Sequence, residues 1–160
     1  MKNKIILLLV LLIPSLCFGN TSKELAQKGQ LFWLAFTCSH IAKLAEDADE
    51  TKRLLEIGLR EGRIFIEAVK KNKISKLDIY ENVPLVVMDS FKKYRLGSQS
   101  TDFILGSIYS KADQDAIRVV FGSHDKYLEI LKEYNPEKRE ANIKLKAKSS
   151  LRRRNTWLIK

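Results

Sequence analysis

Two histidines, His40 and His124, and two cysteines, Cys17 and Cys38, are the whole supply of imidazole and thiol in this chain of 160 residues. A histidine/cysteine metal site needs three or four ligands. A hydrolytic triad needs a histidine held between a nucleophile and an orienting carboxylate. Cys38 and His40 stand two positions apart, which on a helix turns them to different faces. The chain contains no CxxC, HExxH or GxSxG motif, no phosphate-cradling glycine loop and no EF-hand pattern. The carboxylates Glu46, Asp47, Asp49 and Glu50 cluster, but without the ligand spacing and glycine turn of a calcium loop. They suit the positive end of a following helix instead. No cofactor or metal is expected, no catalytic residue is recognisable, and spacing singles out no carboxylate pair. His40, flanked by apolar residues, reads as a core histidine with a hydrogen-bonded ring, and it is the best candidate should any catalysis exist.

Charge is more informative. The formal net charge of +10 is concentrated at the C-terminus. Glu137 to Lys160 holds nine Lys/Arg against two Glu, whereas Asn20 to Pro136 is almost neutral. Within that tail, Lys144, Lys146, Lys148, Arg152, Arg153 and Arg154 form the candidate surface-binding residues. Clustered cations with interspersed apolar residues suit anionic surfaces such as lipid head groups. The competing reading is a solvated, disordered tail. The closing Trp157-Leu158-Ile159 is apolar enough to dock on the body or at a membrane interface.

The first nineteen residues have the anatomy of a signal peptide. Lys2 and Lys4 precede an apolar run from Ile5 to Ile13, Pro14 breaks it, and small residues at Cys17 and Gly19 permit cleavage before Asn20. The run is too short to span a bilayer. Lipidation at Cys17 is the lesser alternative, because the bulky Leu16 fits such a site poorly. The expected destination is the bacterial periplasm. Cleavage leaves Cys38 as the single thiol, so no internal disulfide is possible, and burial is its favoured state.

Helical spacing organises everything between leader and tail. Thr21 and Glu24 form a capping box for a helix apolar nearly all round, through Phe32, Trp33, Phe36 and His40, which marks it as buried. Thr51 to Lys71 carries a broad stripe of Leu54, Leu55, Gly58, Leu59, Gly62, Phe65, Ile66 and Val69. A smaller patch of Ile57, Ile64 and Ala68 suggests a central helix buried on two sides. Gly58 and Gly62 each cost about 1 kcal/mol of helix propensity, so they should mark a close approach, most naturally to the helix of Phe32, Trp33 and Phe36. A short piece follows Ser75. Further helices span Pro84 to Leu96, Phe103 to Phe121 and His124 to Tyr134, and Asn135-Pro136 ends the last. No segment alternates as a strand would, apart from a brief run at Ile143 to Lys148.

The expected fold is therefore all-α, a single compact bundle of about five helices over residues 20–136, behind a cleaved signal peptide and ahead of the basic tail 137–160. The expected function is binding of another macromolecule in the envelope. The partner is expected to be a protein, as for an inhibitor or immunity-type protein. Recognition would fall on Ser98 to Asp102 or on an exposed helix end. The alternative is an envelope-surface protein held to anionic lipid by its tail. Nucleic acid is not expected as a partner of an exported protein.

Overall fold

The computed structural model describes residues 20–94 and 99–155; residues 1–19, 95–98 and 156–160, and with them the signal-peptide expectation, lie outside the described residues. Seven helices and no strand occur among the described residues. They are α1 (Ser22–Leu44), α2 (Ala48–Lys70), α3 (Lys76–Asn82), α4 (Leu85–Tyr94), α5 (Thr101–Phe121), α6 (His124–Leu131) and α7 (Pro136–Asn155). None of them is long and apolar enough to cross a membrane.

Local chemistry sets the boundaries. Glu24 N–H donates to Thr21 Oγ1, and Thr21 N–H donates back to the Glu24 carboxylate at 2.8 Å, closing the capping box of α1. Asp47, Ser75, Ser100 and Ser123 each accept a backbone N–H three residues on, at the starts of α2, α3, α5 and α6. Glu46 and Asn72 turn the chain after α1 and α2 with positive φ of 56° and 52°, a conformation that asparagine adopts more readily than most residues. Gly122 does the same after α5, at φ 84°.

The central element is α1. It packs on α2, α3, α5 and α7, and its buried residues run almost without interruption from Phe32 to Ala42. That corrects the expectation of a two-sided α2. Of the second patch only Ala68 is buried, while Ile57 is half-buried and Ile64 exposed, so α2 is an amphipathic wall with one main inner face. The glycine expectation holds and gains a partner. A Cβ on Gly58 would stand 2.3 Å from Phe36 Cδ1, and one on Gly62 would stand 2.4 Å from Leu105 Cδ2 and 3.3 Å from Phe32 Cγ. The aromatic face of α1 and one leucine of α5 thus occupy the space that side chains on α2 would need.

Two apolar clusters divide the interior. The larger joins Phe32, Trp33 and Phe36 to Phe65, Ile66, Val87, Phe91, Ile104, Leu105 and Ile108. Its rings meet edge-on or tilted, Phe32 with Phe36 at 5.7 Å and Phe36 with Tyr109 at 5.1 Å. The smaller joins Cys38, Ile41, Ala42 and Ala45 of the first helix and its end to Leu54, Ala116, Ala147 and Leu151.

Those last two residues belong to the basic tail. Residues 136–155 form a helix, so over that range the tail is neither disordered nor an alternating strand. Ala147, Ser150 and Leu151 are buried and Ile143 and Arg154 half-buried, a set spaced at helical intervals. The dense cations between them hide that spacing. With this helix and the short α3, the described residues form seven helices where about five were expected.

Candidate functional site

Helix α7 sends the six candidate cations in different directions. Lys144, Lys148 and Arg152, four residues apart, share one flank. Glu46 pairs with Lys144, and its carboxyl is held below the usual range by that hydrogen bond and charge. Beyond this pair, Lys148 and Arg152 face Asp47, Asp49, Glu50 and Arg53 across a cleft of about 630 Å³ floored by Ala45 and Leu151. Three carboxylates and three cations line it, so it is dipolar and not a cation-rich patch. Arg53 is itself spanned by Glu50, with Nε and one terminal nitrogen at 2.6 and 2.8 Å from the two carboxylate oxygens. On the far flank, Lys146 lies 5.9 Å from the centre of the Phe121 ring and Arg153 folds back on Ser149 and Ser150. Arg154 points between these flanks and is half-buried. The helix therefore does not gather the six side chains into one surface.

The Ser98–Asp102 connection is fastened to α2 over its described part. Thr101 Oγ1 donates to Glu67 at 2.7 Å and accepts from Lys70 at 2.9 Å, and Arg63 bonds Asp102 at 2.9 Å. Ser100 caps α5. Ser98 lies outside the described residues. A connection pinned at three points behaves as a corner of the scaffold.

The groups with chemical potential sit inside. Cys38 is buried, and desolvation pushes its thiol up to about 11, against a partial counter-effect from Arg154. Such a thiol is a poor nucleophile at neutral pH. His40 Nε2 lies 3.0 Å from the Tyr109 carbonyl oxygen, and its ring stacks on the Tyr109 ring at 4.1 Å. A carbonyl can only accept, so Nε2 carries the proton of the neutral ring and is not available as a base. Burial lowers the imidazole below its ordinary value, partly offset by the Tyr109 bond and the Asp113 charge.

Glu61 is the polar residue that the sequence did not announce. It sits 6% exposed between Gly58 and Gly62 on the inner side of α2. Lys28 of α1 donates to one oxygen at 2.6 Å and Arg60 to the other at 2.8 Å. Burial raises its carboxyl, but these two hydrogen bonds and the charges of Lys28 and Arg60 together outweigh it and hold the group below its ordinary value. The only sequence signal was its place between two glycines of the apolar stripe. Asp78 of α3 similarly gathers the hydroxyls of Ser22 and Ser75, tying α3 to the start of α1. Among the described residues no group of three or more His, Cys, Asp and Glu side chains is arranged to hold a metal.

No family model, curated protein or solved structure matches this chain.

The surface shows a different kind of feature at the α3–α4 corner. Leu77 is 65% exposed, Tyr80 76% and Leu85 69%. Leu77 and Tyr80 are one turn apart on α3 and share a face. The neighbours Val83 and Val87 are buried in the core beneath.

Proposed function

We propose that this protein acts by binding another protein in the compartment to which its leader directs it, the periplasm. An inhibitor or immunity-type protein that neutralises an enzyme arriving there is the concrete form. The observation that carries the reading is the exposed trio Leu77, Tyr80 and Leu85 at one corner of the bundle. Large apolar side chains grouped on a surface, aromatic ones above all, are typical anchors of protein interfaces. The corner is also well founded, since Asp78 and Ser75 lock α3 to α1 through Ser22. A fixed apolar projection loses little freedom on binding.

The test compares affinity capture from envelope extracts by the mature chain and by Leu77→Asp/Tyr80→Asp. A partner retained by the first and lost by the second supports the reading. A partner retained equally by both, or none at all, refutes it.

The second reading, charge-driven association with anionic lipid, draws on the exposed Lys146, Lys148, Arg152 and Arg153. Against insertion stands the inward orientation of Ala147 and Leu151, which leaves α7 without the apolar outer face that interfacial helices use. Such association would be purely electrostatic and abolished by salt. Co-sedimentation with phosphatidylglycerol vesicles in 0.5 M salt separates the two.

A further inference from the structure

His40 bridges two residues of α5 that lie one turn apart. Its Nε2 meets the Tyr109 carbonyl at 3.0 Å, and its Nδ1 lies 3.2 Å from Asp113 Oδ1. The second contact is at ion-pair distance, yet Nδ1 makes no hydrogen bond and is shut off from solvent. The carboxylate oxygen stands within reach of Nδ1 but off the line that an N–H bond there would take. Because Tyr109 offers only an acceptor, the proton of the neutral ring belongs on Nε2, and Nδ1 presents a lone pair to a carboxylate. Two acceptors then face each other. The two sides differ in freedom: the His40 side chain is 8% exposed and fixed by the Tyr109 ring, whereas Asp113 is 55% exposed. Only Asp113 can respond.

We propose that His40 and Asp113 form a proton-operated clasp between α1 and α5, open while the imidazole is neutral and closed when Nδ1 takes a proton. With the ring neutral, the carboxylate stays in water. With the ring charged, Nδ1–H and Nε2–H donate to two acceptors on successive turns of α5, and the orphaned atom is satisfied. The charged groups that face the ring are Asp113 from α5, which favours the proton, and Lys43 from α1 itself, which opposes it.

The experiment is ¹⁵N NMR of the imidazole in the full mature chain and in Asp113→Asn, a change at an exposed position that leaves the core intact. At pH 8 the ring should carry its proton on Nε2. On acidification Nδ1 should become protonated, with a midpoint lower by about one pH unit in Asp113→Asn than in the unaltered chain. A neutral ring protonated on Nδ1, a midpoint unmoved by Asp113→Asn, or no titration before acid unfolding would each overturn the proposal.

Discussion

Replacing Gly58 with alanine sets two opposed effects against each other, and the structure decides between them. Glycine inside a helix is worth about 1 kcal/mol less than alanine, so propensity alone makes Gly58→Ala stabilising. The new methyl, however, would stand 2.3 Å from Phe36 Cδ1 and 2.5 Å from Cε1. Ordinary contact needs more than 3.4 Å, so the ring must retreat by about 1 Å. Phe36 has nowhere to go, being fully buried and wedged against Phe32 and Tyr109. Overpacking of this kind costs about 1–3 kcal/mol, and an immobile ring places the cost near the upper end. The expected net loss is about 1–2 kcal/mol after the propensity gain is deducted. Gly106→Ala is the internal control. It lies inside α5 with nothing within 4 Å of its would-be Cβ, so it should gain up to about 1 kcal/mol. Urea unfolding followed by helical circular dichroism measures both. Opposite signs are required. A Gly58→Ala protein as stable as the Gly106→Ala protein would refute the close approach of α1 and α2.

Gly58→Leu should be worse again, by a few kcal/mol, visible as a large drop in melting temperature. Glu61→Ala leaves Lys28 without its carboxylate beneath part-exposed surface, and should cost about 1–2 kcal/mol, less than a fully buried pair would. The Glu61 carboxyl is depressed in the fold, so its contribution is present above the unfolded value near 4.5 and lost as pH falls through the folded one. His40 acts in the same sense: its folded value lies below 6.5, so its contribution is present above that value and declines as acid protonates the ring. Urea midpoints should therefore fall in the native protein as pH drops from about 7 to about 3, and below the carboxyl's unfolded value near 4.5 they should fall less in Glu61→Gln. Leu151→Ala should cost about 2 kcal/mol or more by opening the smaller cluster, whereas Lys144→Gln, at an exposed pair with Glu46, should leave the urea midpoint unchanged. Cys38 should resist a thiol-specific disulfide reagent at pH 8 until denaturant is added.

The all-α class was legible because apolar periodicity and capping residues agreed along the body. Thr21 with Glu24, Asp47 with Glu50 and Ser75 with Asp78 all cap as their spacing implied. Gly58 and Gly62 announced a close contact, although nothing local named Leu105 as the second neighbour. The hierarchy of α1 over α2 was less visible, since a strongly two-faced helix advertises itself in a sequence and a uniformly apolar one does not. The basic tail misled for a related reason. Three small or aliphatic anchors, Ala147, Ser150 and Leu151, suffice to seat a helix against a neighbour, but eight Lys/Arg dominate the composition of that helix. How the six candidate cations are distributed around the helix axis was not legible, because that distribution follows from a helix that their composition obscured. Glu61 and the His40–Asp113 contact were invisible, being long-range pairings that no local spacing encodes.

The smaller apolar cluster has a temporal meaning as well. Its early members, Cys38, Ile41, Ala42 and Leu54, are synthesised first, and its last members, Ala147 and Leu151, arrive about a hundred residues later. Until α7 emerges, that half of α1 has Leu54 and Ala116 against it but lacks the cover of Ala147 and Leu151. Closure of the bundle is therefore a late event, set by long-range contacts that are slow to form. The residues that look most like an appendage are then the ones that complete the smaller cluster around Cys38.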